Sequence, residues 1–102
     1  MEKNHMEKNQ EISRIRQDII EGGLRLVKEG LVARTWGNIS IRVDDVHMLI
    51  TPSGRTYEDL TQEDIVLVNY HTSEHEGHIK PSSEKELHCE IYRTRKKVHA
   101  VI

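Results

Sequence analysis

Residues 39–51 read ISIRVDDVHMLIT, and this stretch decides the fold class of the chain. Its first five residues alternate apolar and polar side chains, and this period of two predicts a half-buried strand. Asp44-Asp45 is expected to turn the chain, so that His47–Thr51 returns as the second strand of a hairpin. Residues 39–51 therefore predict a β-hairpin.

A helical pattern precedes the hairpin, and two more strands are predicted after it. Apolar residues at steps of three and four begin at Ile12, and the helix is expected to stop near Lys28. Gly22-Gly23 interrupts this pattern, and we interpret the pair as a point where another backbone comes close. The apolar run Ile65–Asn69 predicts a third strand that is buried on both faces, and a short fourth strand is expected near His78–Lys80.

A second helix is predicted toward the end of the chain. Ser83, followed three residues later by Glu86, has the spacing of a capping box. The helix is expected to run to about Arg95 and to pack through Leu87 and Ile91. The order of helix, strands and helix indicates an α/β layered domain.

The domain is expected to span residues 11–102. Met-Glu-Lys-Asn occurs twice within residues 1–10, so we expect these residues to be a polar leader that is disordered or was added to the natural chain. Val98–Ile102 has the pattern of another apolar strand and reaches the last residue. We therefore interpret the domain as truncated.

The composition excludes several classes of protein. A length of 102 residues allows one domain, and a formal net charge of −2 argues against a dedicated nucleic-acid binder. The longest unbroken apolar run, Ile65–Val68, is too short to cross a bilayer, and the first five residues lack the apolar segment of a secretory signal. The single cysteine, Cys89, is expected to be a small buried side chain, and its isolation favours a reducing, cytoplasmic location.

Three short segments share the chemistry of anion binding. Thr35–Ser40, Thr51–Gly54 and Pro81–Glu84 each place small hydroxyl or amide donors beside Gly or Pro at the end of an element. Small side chains let main-chain N–H groups approach an anion, and the start of a helix favours a phosphate without Lys or Arg. Taken one at a time, each segment is more typical of an ordinary turn or helix cap.

In this order, the three segments and Val98–Ile102 together resemble the first half of the class II aldolase/adducin family. The resemblance covers about residues 11–102 and implies a three-layer α-β-α fold, present only as its N-terminal portion. It implies a zinc-dependent enzyme that cleaves a small phosphorylated sugar, a ketose phosphate such as L-fuculose 1-phosphate, by retro-aldol chemistry. Sugar-phosphate 4-epimerisation, thiosugar-phosphate dehydration and a non-catalytic adducin-like assembly module remain open alternatives.

The resemblance also implies roles for individual residues. Glu84 matches the acid/base glutamate that moves a proton at the carbon that becomes nucleophilic, although acidic residues also favour a first helical turn for electrostatic reasons alone. Gly37 would let the backbone approach the substrate, while Thr35 and Ser40 would shape the loop. The residues implied to surround the substrate phosphate are Asn38, Ser53, Gly54, Ser82 and Ser83.

No metal ligand is expected within the chain. The resemblance implies zinc held by a His-x-His pair directly after the last predicted strand and by a later third histidine, so that its ligands lie beyond Ile102. Without them, the 102-residue chain alone is expected to be inactive. His71, His75 and His78 are expected in a solvated loop, and His88 is expected to face a neighbour or solvent.

The family resemblance implies a homotetramer with sites at subunit interfaces. Aromatic residues make up only 4% of the chain, and it contains no Phe. Because the chain is both small and polar, we expect it to bury surface against a partner. Its composition does not specify how many copies assemble.

Overall fold

The computed structural model describes residues 5–31 and 38–102. In chain order the elements are α1 (His5–Lys28), β1 (Ser40–Arg42), β2 (His47–Ile50), two 3-10 turns (Tyr57–Asp59 and Gln62–Asp64), β3 (Val66–Asn69), α2 (Lys85–Thr94) and β4 (Ala100–Val101). The predicted hairpin is confirmed, because β1 and β2 pair antiparallel with Ile41 opposite Leu49. β4 falls within the last predicted strand and pairs with β1.

The four strands form one antiparallel sheet in the order β3-β2-β1-β4. Successive residues of a strand point to opposite faces of the sheet. In β2, Leu49 therefore packs in one apolar cluster with Ile19 of α1, whereas Met48 and Ile50 pack in another with Tyr92 of α2. Because one helix covers each face, the predicted three-layer α-β-α arrangement is confirmed for this portion of the fold.

α1 begins before the expected domain boundary. Residues 5–10, expected to be a leader, are the first turns of the helix. Lys8 forms a 3.0 Å salt bridge with Asp44 in the turn between β1 and β2, so this segment is tied to the sheet. α1 runs across residue 11, where the domain is expected to begin. Although α1 has 24 residues, no helix in the described ranges is long and apolar enough to span a membrane.

Gly23 is the place where α1 meets the chain that follows β2. A Cβ atom at this position would lie 2.2 Å from Cδ1 of Tyr57, whereas a Cβ atom at Gly22 would meet nothing within 4 Å. The prediction that the glycine pair admits another backbone is wrong. Only Gly23 is closely packed, and its neighbour is an aromatic ring.

The fourth strand predicted at residues 78–80 is not formed. The carbonyl of Lys80 accepts one hydrogen bond of 2.9 Å from the N–H of Ser53, and Pro52 pairs with Pro81 in an isolated bridge. Proline has no N–H to donate, so the ladder cannot continue through this pair.

β3 is fully buried on one face only, which corrects the prediction of burial on both faces. Val66 and Val68 are buried in the cluster that includes Tyr92 of α2, whereas Leu67 and Asn69 on the opposite face are half-buried. β3 lies at the edge of the described sheet, where α1 covers that face incompletely.

α2 begins differently from the predicted capping box. The hydroxyl of Ser82, rather than that of Ser83, accepts the N–H of Glu84 at 3.1 Å. The Glu86 carboxylate accepts a 2.9 Å hydrogen bond from the hydroxyl of Ser73 in the preceding loop. The predicted Ser83–Glu86 capping box is therefore wrong, and Ser82 secures the start of the helix.

The buried face of α2 also differs from the prediction. Cys89 is buried as predicted and Ile91 is half-buried, but Leu87 is 57% exposed and His88 is only 3% exposed. With 3.6 residues per turn, positions 88, 89 and 92 share the side that faces the sheet, and Leu87 falls outside it. The expectation for Leu87 is wrong. His88 was expected to face a neighbour or solvent, and the structure buries its ring against a neighbour, Ser40 of β1.

Candidate functional site

The three anion-binding segments predicted from the sequence line one cleft of about 350 Å³. The lining residues are Asn38 from the first segment, Thr51, Pro52, Ser53, Gly54 and the following Arg55 from the second, Ser82, Ser83 and Glu84 from the third, and Tyr57 and Leu60 from the intervening chain. Six of the seven residues predicted for the site are thus brought together. The seventh, Gly37, lies with Thr35 and Trp36 outside the described residues.

Hydrogen bonds fasten the first and third segments to the end of β2. The carbonyl of Thr51 accepts the N–H of Ser82 at 2.9 Å, and its hydroxyl accepts the N–H of Ile39 at 3.3 Å. The Ser82 hydroxyl donates to Oδ1 of Asn38. Thr51, itself buried, is therefore the common anchor of the three segments.

The bond between Ser82 and Asn38 decides which Asn38 atoms remain for a ligand. The Ser82 hydroxyl oxygen accepts the N–H of Glu84, and its proton goes to Oδ1 of Asn38. Because Oδ1 is engaged as an acceptor, the amide nitrogen of Asn38 keeps donors for another partner. Since Asn38 lines the cleft, this arrangement presents N–H groups to an anion.

The turn after β2 brings Ser53 and Gly54 to the cleft. The N–H of Ser53 is bonded to Lys80, and Pro52 bridges Pro81, so that this turn lies beside the entry to α2. Gly54 has a φ of 72°, in the left-handed region where a residue with a Cβ is strained. Glycine thus allows the sharp turn that carries the Ser53 hydroxyl.

The electrostatics of the cleft suit an anion bound by neutral donors. The start of α2 forms part of the wall, and the first N–H groups of a helix lack intrahelical partners and carry partial positive charge. Arg55 lines the cleft, but its guanidinium contacts the Asp64 carboxylate at 2.6 Å, which offsets its charge. Glu84, exposed and directly before α2, places a carboxylate at the same wall.

Sequence reasoning missed three residues of the cleft wall. Arg55 directly follows the second segment, so its position along the chain was an available signal. Tyr57 and Leu60 carried no signal, because they reach the cleft only through packing against other buried residues of the α1 cluster. Tyr57 is 3% exposed, and its hydroxyl is buried without a hydrogen-bond partner among the described residues. Burial raises the pKa of Tyr57 to about 12, so the phenol stays neutral at physiological pH.

We expect Tyr57→Phe to leave stability unchanged or to raise it by about 1 kcal/mol, because an unpaired buried hydroxyl costs desolvation energy. Tyr92→Phe is the matched control: its hydroxyl lies 2.8 Å from that of Ser40, and losing that bond should lower stability by about 1 kcal/mol. Midpoints of denaturant unfolding at one protein concentration compare the two. A Tyr57→Phe variant destabilised as much as Tyr92→Phe would contradict this account.

The described residues do not fit a three-ligand metal site. Within residues 5–31 and 38–102, no three His, Cys, Asp or Glu side chains are grouped to hold a metal ion. His71, His75 and His78 are exposed, as predicted for a solvated loop. The Nε2 atom of His71 lies 2.9 Å from the carbonyl oxygen of Asp45.

Comparison with known proteins identifies the family. Residues 17–102 match the Class II Aldolase and Adducin N-terminal domain, and the chain belongs to this family. It is 42% identical over 86 residues to the L-fuculose phosphate aldolase of Haemophilus influenzae and 38% identical over 92 residues to that of Escherichia coli K12. It is also 36% identical over 88 residues to the 5-deoxy-D-ribulose 1-phosphate aldolase of Bacillus thuringiensis. These matches cover 84%, 90% and 85% of this chain, and 39%, 42% and 41% of the respective relatives.

Solved structures agree with the family assignment. An L-fuculose 1-phosphate aldolase matches with a TM-score of 0.79 and 34% identity, over 85% of this chain and 42% of that one. The L-fuculose-1-phosphate aldolase of Thermus thermophilus matches with a TM-score of 0.68 and 34% identity, over 85% of this chain and 43% of that one. The chain thus spans about two fifths of the length of its relatives, and the resemblance inferred from its three segments is confirmed.

Proposed function

We propose that these residues are the N-terminal part of a longer, zinc-dependent sugar-phosphate aldolase. Its reaction would be the retro-aldol cleavage of a ketose phosphate such as L-fuculose 1-phosphate. The observation that carries the proposal is that Asn38, Ser53 and Ser83 meet at one cleft with the carboxylate of Glu84. The names of the relatives, which are aldolases of phosphorylated sugars, support the choice of substrate class.

In this proposal the cleft binds the substrate phosphate through donors of the three segments. The amide of Asn38 and the hydroxyls of Ser53 and Ser83 belong to residues that line the cleft. Ser82 has a different part, since its hydroxyl already bonds both Asn38 and the N–H of Glu84. It orients the donors rather than supplying one. Gly37 is proposed to let the backbone approach the phosphate.

Glu84 is proposed to be the acid/base of the reaction. When the carbon–carbon bond breaks, the carbon that keeps the bonding electrons needs a proton, and in the reverse direction that proton must be removed. A carboxylate beside the phosphate donors stands within reach of a short sugar held by its phosphate. An adducin-like assembly module would have no chemical use for this combination of donors and base.

Zinc belongs to the proposal for the longer protein. The described residues offer no three-ligand set, so the ligands that the family resemblance implies would follow Ile102. When bound, zinc would act as a Lewis acid toward substrate oxygens. We also propose that the protein is a cytoplasmic homotetramer, an assembly that would cover apolar side chains such as Leu31 and Leu87, which are 66% and 57% exposed in the single chain.

Metal analysis and an aldolase assay on the full-length protein test the proposed function. We expect bound zinc and cleavage of at least one ketose 1-phosphate to a ketose-type phosphate and an aldehyde. The 102-residue chain alone is expected to show no turnover, since its described part lacks a metal site. A full-length protein with neither zinc nor turnover on ketose phosphates would instead favour the adducin-like module.

Ser82→Ala should test the support of the cleft by side-chain hydrogen bonds, and Ser83→Ala should test direct contact with the phosphate. Ser83 is exposed and makes no cap, so Ser83→Ala should weaken binding of inorganic phosphate without loss of stability. Ser82→Ala removes the bonds to Asn38 and to the N–H of Glu84, so it should weaken phosphate binding and also cost about 1 kcal/mol of stability. Calorimetric titration and denaturant unfolding measure the two effects. Equal stability losses in both variants would show that Ser83 caps the helix after all.

A further inference from the structure

β1 and α2 face each other through a row of polar side chains, which we name the polar seam. On one side, the polar seam contains Ser40 and Arg42 of β1 and Asn38, which precedes β1. On the other side, it contains His88 and Tyr92 of α2 and Ser82, which precedes α2. Alternate residues of a strand share one face, and residues four apart share one side of a helix. The contacts therefore follow in order, with Asn38 bonded to Ser82 at the cleft end and Ser40 bonded to His88 one step farther along.

The middle of the polar seam is a buried hydrogen-bonded chain. The Ser40 hydroxyl lies 2.6 Å from Nδ1 of His88 and 2.8 Å from the Tyr92 hydroxyl, and all three side chains are at most 3% exposed. At the far end, the guanidinium of Arg42 lies 4.9 Å from the centre of the Tyr92 ring and donates to the Tyr92 carbonyl at 3.1 Å. The resemblance implied that Ser40 shapes a loop. In the structure it lies in β1 and holds α2.

The donors and acceptors along this chain place the His88 proton on Nε2. Burial raises the pKa of Tyr92, so its hydroxyl keeps its proton, and a backbone hydrogen bond from Val101 already reaches that oxygen. The Tyr92 proton therefore goes to Ser40, and the Ser40 proton goes to Nδ1 of His88. Burial lowers the pKa of His88 and outweighs the negative charge of Glu84, which raises it. The ring is therefore neutral at physiological pH. A neutral imidazole that accepts at Nδ1 carries its proton on Nε2.

We propose that His88 is a positioning residue for Glu84. Ser40 holds the His88 ring at Nδ1, and the Nε2–H of the ring acts on Glu84. This inference rests on the proposed function, in which Glu84 is the acid/base. Glu84 precedes His88 by one helical turn, and its carbonyl accepts the N–H of His88 at 3.1 Å. The polar seam thus fixes the position of Glu84 along the axis of α2, relative to the Asn38 amide and the Ser82 hydroxyl on the same seam.

Two substitutions of His88 in the full-length protein separate its two ring nitrogens. Asparagine can accept from Ser40 in place of Nδ1 but does not reach the position of Nε2, whereas glutamine extends an N–H toward that position. We expect His88→Asn to lower kcat on the order of 100-fold with KM nearly unchanged, because small displacements of a catalytic group are that costly. His88→Gln should recover most of kcat. Cys89→Ala, a buried neighbour outside the polar seam, is the control for lost packing.

Three results would overturn the positioning role. The first is a His88→Gln variant as slow as His88→Asn, the second is a loss confined to KM, and the third is an equal loss of kcat in Cys89→Ala. If His88→Asn does not fold, Ser40→Ala provides the test through the ¹⁵N shifts of the His88 ring. We expect the Nε2–H tautomer in the wild type and a mixture in Ser40→Ala, and an unchanged spectrum overturns the proposal.

Failure of the proposed function is recognised separately. If the wild-type full-length protein turns over no ketose phosphate, the aldolase assignment fails, and crystal structures of the His88 variants decide the positioning role instead. A Glu84 carboxylate displaced in His88→Asn but not in His88→Gln supports it. A carboxylate that is in place in both variants, or displaced in both, overturns it.

Discussion

In the full-length protein, we expect Glu84→Gln to lower the rate at which the substrate exchanges its carbon-bound proton with solvent by about 10²–10⁴-fold. That is the range expected when a positioned acid/base group is lost. Glutamine keeps the size of the side chain and its place before α2, so the Asn38 amide and the Ser83 hydroxyl remain where they are. Affinity for inorganic phosphate should therefore be nearly unchanged. Exchange in D₂O, followed by NMR, and calorimetric titration with phosphate measure the two quantities.

Glu86→Gln is the matched control for this substitution. Glu86 lies in the first turn of α2, two residues after Glu84, and bonds to Ser73 and Lys85 outside the cleft. Glu86→Gln removes the same charge from the same end of the helix as Glu84→Gln does. Any effect of net charge on α2 therefore appears in both variants. Proton exchange should be lost only in Glu84→Gln. Parallel losses of exchange and phosphate affinity in the Glu84 variant would count against its assignment as the base.

The three segments were predictable as turns or helix starts because each has a local cause, whereas their convergence was implied only by the family resemblance. Small residues with hydroxyl or amide groups beside Gly or Pro predict turns and helix starts, and the hairpin pattern at residues 39–51 places two of these turns at the ends of paired strands. What joins the turns is a tertiary contact. Thr51 bonds both Ile39 and Ser82, and no local pattern marks it as an anchor.

The start of α2 shows where local patterns stop being informative. Ser82 and Ser83 are adjacent hydroxyls, and the capping-box spacing to Glu86 favours Ser83. In the fold, the Glu86 carboxylate accepts a hydrogen bond from Ser73, and the Ser82 hydroxyl donates one to Asn38 of the first segment. Contacts with distant parts of the chain therefore choose between two locally equivalent residues.

The sequence left open whether His88 faces a neighbour or solvent for a related reason. A polar ring in a helix is ordinarily taken to be solvated, and burying it is favourable only where a partner satisfies it. That partner is Ser40, 48 residues away along the chain. Each of the two side chains is the buried partner of the other. The sequence around either residue alone therefore does not show that it is buried.

We expect a large effect on stability from Gly23→Ala, because the close packing of Gly23 outweighs the higher helix propensity of alanine. Within a helix, replacing Gly by Ala normally gains about 1 kcal/mol, and Gly22→Ala should show that gain, since its Cβ would meet nothing within 4 Å. At Gly23 the added Cβ would lie 2.2, 2.6 and 2.8 Å from three atoms of the Tyr57 ring. That ring is buried and cannot swing into solvent. Overpacking of this kind costs about 1–3 kcal/mol, so Gly23→Ala should be destabilised although it is the better helix former.

The two glycine variants differ by one position and by no change in composition, so each is the control for the other. Denaturant unfolding should place Gly22→Ala above the wild type in stability and Gly23→Ala below it. Because Tyr57 lines the cleft, a ring displaced by the new methyl group should also weaken phosphate binding in Gly23→Ala, while Gly22→Ala should bind as the wild type does. Combining Gly23→Ala with Tyr57→Leu removes the ring that the methyl group strikes and should recover part of the lost stability. If the two alanine variants are equally stable, the close contact between α1 and Tyr57 does not exist in solution, and the wall of the cleft is built in another way.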